Sequence, residues 1–107
     1  MAKKTNRSTC GTSFHDTVLR TSIATLKELY GDPTCDENSG EDKVNVEWDM
    51  VLTEESDTEG AVFTIYDWKE YRVLDENEII EFHIGGSNRH VTNSAYEEII
   101  LDLKQIS

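Results

Sequence analysis

Apolar residues recur along this chain at two periods, and the change of period divides it into elements. Val18, Leu19, Ile23, Leu26, Leu29 and Tyr30 fall at helical spacing on one face. Ser13 precedes them as an N-cap with Asp16 three positions on, a capping-box variant. Gly31 provides the stop and Pro33 bars continuation, so the pattern predicts a helix over 14–30. Val44, Val46, Trp48, Met50 and Leu52 then alternate with Asn45, Glu47, Asp49 and Val51, the period of a strand with one buried and one wet face. A second strand, 61–68, is apolar or aromatic on both faces, as suits a central position; Trp48 reads as core, and so does Trp68, with stacking on a base or a protein interface as the alternative for Tyr66, Trp68 and Tyr71. A third runs over 79–84 and is ended by Gly85-Gly86, since glycine readily takes the φ > 0 conformations of a sharp exit. A second helix starts at Thr92 or Asn93, with Glu97 and Glu98 near its positive end and Tyr96, Ile99, Ile100 and Leu103 on its apolar side.

The predicted order is α-β-β-β-α. Short connections favour an antiparallel meander, giving an α+β fold with both helices packed on one face of a three-stranded sheet. Residues 1–12 are polar and unpatterned and are expected to form a disordered tail ahead of a single domain over 13–107. The full 107 residues suffice for one adequate core.

Charge adds a second layer. The net charge is −12, and it is uneven. Residues 1–31 carry five basic groups against two acidic ones. Residues 32–59 hold eleven acids (Asp32, Asp36, Glu37, Glu41, Asp42, Glu47, Asp49, Glu54, Glu55, Asp57 and Glu59) against Lys43 alone. Such a balance disfavours direct binding to nucleic acid or to an anionic membrane, both of which require lysine and arginine. No run approaches the ~18 apolar residues of a membrane span. The basic start lacks the apolar segment of a signal peptide, which leaves the cytoplasm as the expected setting. Cys10 and Cys35 are far apart and belong to no CxxC pair, so they read as unpaired thiols. With His15 they do not supply the two close ligand pairs of a structural zinc site, and neither metal nor cofactor is expected.

One resemblance emerges. Phe14, the run Leu29-Tyr30-Gly31-Asp32-Pro33, Lys43-Val44 leading to Glu47-Trp48, Thr64-Ile65-Tyr66-Asp67-Trp68-Lys69 and His83-Ile84-Gly85-Gly86 together resemble small, mostly uncharacterised bacteriophage-encoded acidic proteins. The similarity spans roughly residues 14–103. It implies a phage origin and the cytoplasm of an infected bacterium, and it brings no catalytic residue with it.

Two candidate sites follow. Glu47, Asp49, Glu54, Glu55, Asp57 and Glu59 lie on the wet face of the first strand and in the loop after it. Carboxylates so displayed imitate a phosphate backbone or complement an arginine-rich groove. The leading expectation is therefore an accessory protein that binds and blocks a basic, nucleic-acid-binding host or defence protein, acting as a DNA mimic. The alternative is a phosphate or nucleotide site built from Tyr66, Arg72, His83, Gly85, Gly86, Arg89 and His90. There a glycine turn, a helix N-terminus and a guanidinium would converge on an anion. The plainer reading is that the glycines turn the chain and Arg89 offsets local acidity, since the run is no Walker or dinucleotide fingerprint. Ser87 lacks a GxSxG elbow and His83 has only strand neighbours as acid–base partners, so no enzyme is expected. Open sheet edges are compatible with strand-mediated homodimerisation.

Overall fold

Alternation, not helical spacing, governs residues 13–21. In the computed structural model, which describes residues 1–37, 39–41 and 43–106, these form strand β2 (Ser13–Thr21). Asp42, one of the acids of the 32–59 run, and Ser107, the end of the expected domain, lie outside the described residues. The other elements are β1 (Lys3–Lys4), α1 (Ile23–Tyr30), β3 (Cys35–Asp36), β4 (Val46–Val51), β5 (Val62–Asp67), β6 (Ile80–Gly86) and α2 (Arg89–Ile106).

The predicted helix over 14–30 is thus half strand. Leu19 and Thr21 are buried while Val18 and Arg20 are exposed, a two-residue period carried by β-branched side chains that fit a pleated surface. Only the second half is helical. Its cap is Ser22, whose hydroxyl accepts from the Thr25 N–H, and not Ser13. Gly31 ends it as expected, at φ 80°, with its N–H donated to the Lys27 carbonyl.

All strand pairs are antiparallel and form one sheet in the order β1-β4-β5-β6-β2, with β3 also paired to β4. The class is α+β, but the sheet has six strands rather than three, and two strands precede the first helix. β5 holds the central place expected of it, between β4 and β6. The segment expected to be a disordered tail contributes β1, which pairs Lys3 with Val51 and Lys4 with Met50. Ala2 is buried ahead of it, its N–H donated to the Asp102 carboxylate 3.0 Å away.

The core lies between the sheet and the helices. Trp48, Phe63, Ile65, Phe82 and Ile84 face Leu26 of α1 and Ile99 of α2 in one buried cluster. Each such side chain contributes about 1.5–3 kcal/mol when fully buried. Polar groups pin the layers together. The Trp48 indole N–H donates to the Gly31 carbonyl, and the Tyr30 hydroxyl donates to Asp102 at 2.6 Å. The buried Asp67 carboxylate accepts the backbone N–H groups of Asn45 and Val46, fixing the entry to β4.

Gly85 and Gly86 do not turn the chain; they lie within β6, opposite Phe14 and Ser13, and neither has a positive φ. Close approach is what they permit. A Cβ on Gly86 would stand 2.6 Å from Thr92 Oγ1 and 3.0 Å from the Thr92 nitrogen, and one on Gly85 would stand 2.6 Å from Thr64 Oγ1. Helix α2 begins at Arg89, earlier than the sequence pattern suggests, with Asn88 accepting the Val91 N–H. Glu98 therefore sits inside the helix, buried, and its carboxylate receives the N–H groups of Thr53 and Glu54.

Candidate functional site

Since the helices share one face of the sheet, the other carries no helix, and strand alternation decides which residues lie on it; Thr12 and Ser13 reach the middle of that face, beside Thr64 and Gly85, which are buried. Two rows cross it. Glu47 of β4 lies beside Tyr66 of β5 and His83 of β6, and Asp49 lies beside Thr64, Gly85 and Phe14 of β2. The missing side chain at Gly85 leaves room for its neighbours. Phe14 stacks on the His83 ring with centroids 3.8 Å apart and planes 12° from parallel. Tyr66 meets His83 and Trp68 edge-on, at 5.5 and 6.1 Å. Trp68, expected in the core, is 39% exposed because it falls on this open face, whereas Trp48 is fully buried. Lys43 and Lys69 hold their ammonium groups 5.9 and 5.6 Å from the centre of the Trp68 ring, within cation–π range.

Burial lowers the imidazole pKa of His83, with only the Glu81 charge opposing, so the ring that stacks on Phe14 is neutral near pH 7. Its Nδ1 is buried, and no hydrogen-bond partner reaches it among the described residues. On the β4 side, burial pushes Glu47 up to about 7, and a hydrogen bond to Asp49 together with the Asp49 charge pushes the same way. Asp49 Oδ1 is shut off from solvent, and no hydrogen-bond donor among the described residues reaches it. Crowded acids propagate the effect outward: Glu47 adds to the burial that raises the Tyr66 hydroxyl and the Cys35 thiol. Cys35, paired with Glu47 across β3 and β4, is accordingly a weak nucleophile.

Two depressions meet at Glu47 and Val44, which line both. The larger, about 650 Å³, is walled by Cys35, Glu37, Glu41, Lys43 and Tyr71. The smaller, about 230 Å³, runs along Thr64, Tyr66, Trp68 and Gly85. Together they form an acidic trough with an aromatic floor at one end.

The six acids expected to bind a partner are not on one surface. Glu47 and Asp49 belong to the open face. Glu54, Glu55, Asp57 and Glu59 are exposed in the loop between β4 and β5, which is tied to α2 through Glu98. Asp57 is also held by His90 Nε2, at 2.8 Å.

The residues of the expected phosphate corner scatter further. Tyr66, His83 and Gly85 share the open face, but Gly86 turns toward α2. Arg72 is locked in a two-pronged bond to Glu78, at 2.8 and 2.6 Å, with Glu70 3.6 Å away. Arg89 donates to the His15 carbonyl at 3.0 Å and lies 3.9 Å from Asp16. No glycine turn, helix end and guanidinium converge. The sequence pattern does not reveal Phe14 as a member of an exposed aromatic row, and Trp68 follows the alternative to its core reading. Reading 13–21 at strand period would have found the first.

Among the described residues, no group of three or more His, Cys, Asp or Glu side chains could hold a metal ion, and no helix is long and apolar enough to cross a membrane. The fold and site together define an antiparallel α+β domain with one sheet face that no helix covers. Compared with models of protein families, with curated proteins and with solved structures, the chain matches none.

Proposed function

We propose that this protein is an acidic binding protein that occupies a basic, nucleic-acid-binding surface on another protein and blocks it. The observation that carries this reading is the Glu47–Asp49 carboxyl pair, crowded on a sheet face that no helix covers and flanked by exposed aromatics. Such a pair is poorly satisfied alone and gains from a cation brought to it. The acids of the 53–60 loop extend the negative field around one end of the domain and steer a basic partner toward it. The resemblance to phage-encoded proteins is what suggests an infected bacterium as the setting and a host or defence protein as the target. The activity is binding, without chemistry of its own.

The test is capture from bacterial lysate at low and moderate salt, followed by a DNA-binding assay on whatever is retained. Recovery of a basic protein that then loses its hold on DNA supports the reading. Reversing Glu47, Asp49, Glu54 and Glu55 to lysine should abolish that recovery. Retention of no basic protein, combined with a nucleotide-induced thermal shift that Arg89→Ala removes, would overturn it in favour of a ligand-binding module.

A further inference from the structure

We propose that the outer edge of β2 is a pairing surface for a second copy of this chain, the two β2 strands meeting antiparallel about Val18. The inference concerns assembly and is independent of the basic partner argued above. The sheet ends in two different ways. On the β4 side it is closed by two strands of two residues each, β1 and β3, and β1 consists of Lys3 and Lys4. Very short strands and lysines blunt an edge against further pairing. On the other side lies β2, nine residues long, without lysine or proline, and no strand among the described residues pairs with its outer side. A bulge with Asp16 at φ 66° interrupts it after Phe14, but Val18–Thr21 pairs with β6 in regular register.

An open edge does not by itself select a partner; here the side chains do. Two β2 strands meeting about Val18 set Val18 opposite Val18, Thr17 opposite Leu19, and Asp16 level with Arg20 of the second copy, twice over by symmetry. Val18 and Arg20 lie beside His83 and Glu81, on the face without helices, and both are exposed. The side chains of Asp16 and Arg20 are 84% and 67% exposed, and their ionic contacts within the chain are long, 3.9 Å to Arg89 and 3.6 Å to Glu81. Opposed β-branched residues and opposite charges are the cross-strand contacts that stabilise an antiparallel pair. Centring the contact on Leu19 or Thr17 instead would set a charge against Val18.

The distribution of charge over the molecule favours the same approach. Residues 1–31 carry five basic groups and two acids, while the acids gather in 32–59. β4, with Glu47 and Asp49, stands three strands away from β2, beyond β6 and β5. At ~4.8 Å per strand that is about 14 Å, against a Debye length of about 8 Å at physiological ionic strength. Two copies therefore meet along their least acidic side and keep both acidic faces outward.

Sedimentation velocity over a wide range of protein concentration, at physiological ionic strength, should show a reversible monomer–dimer equilibrium. Arg20→Glu sets like charges against Asp16 at both ends of the contact and should weaken the dimer about tenfold. Adding Asp16→Lys restores the opposition of charge and should recover most of that loss; circular dichroism establishes that each variant is folded. Register is read separately, with the exposed Cys10 and Cys35 replaced by serine. Val18→Cys then stands opposite itself, within disulfide reach across an antiparallel pair, and should oxidise to a covalent dimer, whereas Arg20→Cys should not. A monomer at every concentration would overturn the proposal. So would a dimer unmoved by Arg20→Glu, a folded double variant no tighter than the single one, or a covalent dimer formed as readily through Arg20→Cys. None of these results bears on capture of a basic partner, which the reversal of the acids tests.

Discussion

Glu47 shows how a single side chain can work against the fold that holds it. Its carboxyl ordinarily titrates at 4.5, and in the folded protein burial and Asp49 push it up to about 7. The folded state therefore holds this proton more tightly than the unfolded chain does. Stability contributed by the group is present below pH 4.5 and is lost as pH rises toward and through 7. Glu47→Gln removes the titration. Its urea midpoint should equal or trail that of the natural protein below pH 4.5 and exceed it above pH 7. Parallel midpoints across that window would show that the pair is not crowded in solution. A residue kept at such a cost is a reason to look for a cation that relieves it, and the depressions that Glu47 lines are where one can arrive.

At the scale of elements, strands with unambiguous alternation were legible and the first helix was not. Val46, Trp48 and Met50 alternate with Glu47, Asp49 and Val51, so β4 and its buried face could be read directly. β5 announced its central place by being apolar on both sides. Residues 13–30 misled because Val18, Leu19 and Ile23 satisfy helical spacing by coincidence across a strand-to-helix junction at Ser22. β1 and β3 have two residues each, too few for any period to register, and pairing to β4 alone defines them. The glycines of β6 were read by their conformational freedom when their lack of bulk was what mattered. The candidate site suffered most, because its members come from four strands and β2 among them had been read as helix. The caps discriminate between the two descriptions. Ser22→Ala should cost about 1 kcal/mol, as loss of an N-cap does, whereas Ser13→Ala should fall within roughly 0.5 kcal/mol of neutral. Chemical denaturation of both variants measures this, and the reverse ranking would restore the longer helix.

For the whole molecule, folding and partner capture should respond to salt in opposite directions. Twenty-two acids face ten bases within a radius of gyration of 12.8 Å. The Debye length is about 10 Å at 0.1 M ionic strength, so at lower salt most of these charges feel one another across the fold. Local pairs such as Arg72–Glu78 and Lys27–Glu76 lose a little attraction as salt is added, but exposed pairs of this kind are worth at most about 1 kcal/mol and are few against the acidic excess. Self-repulsion thus dominates, and raising sodium chloride should stabilise the fold. A gain of about 1 kcal/mol would register as roughly 4–8 °C in Tm for a domain of this size. Chloride is the appropriate salt, because sulfate strengthens apolar burial by exclusion and would raise Tm for another reason. Over the same titration, capture of a basic partner should weaken steadily, since the attraction that steers it is screened. The contrast is informative because a protein failing in salt through loss of its fold would show both quantities falling together. A melting temperature that drops with sodium chloride would mean that the ion pairs, not the repulsion among the acids, set the balance. The acidic field would then be structural rather than a surface held in readiness for a partner.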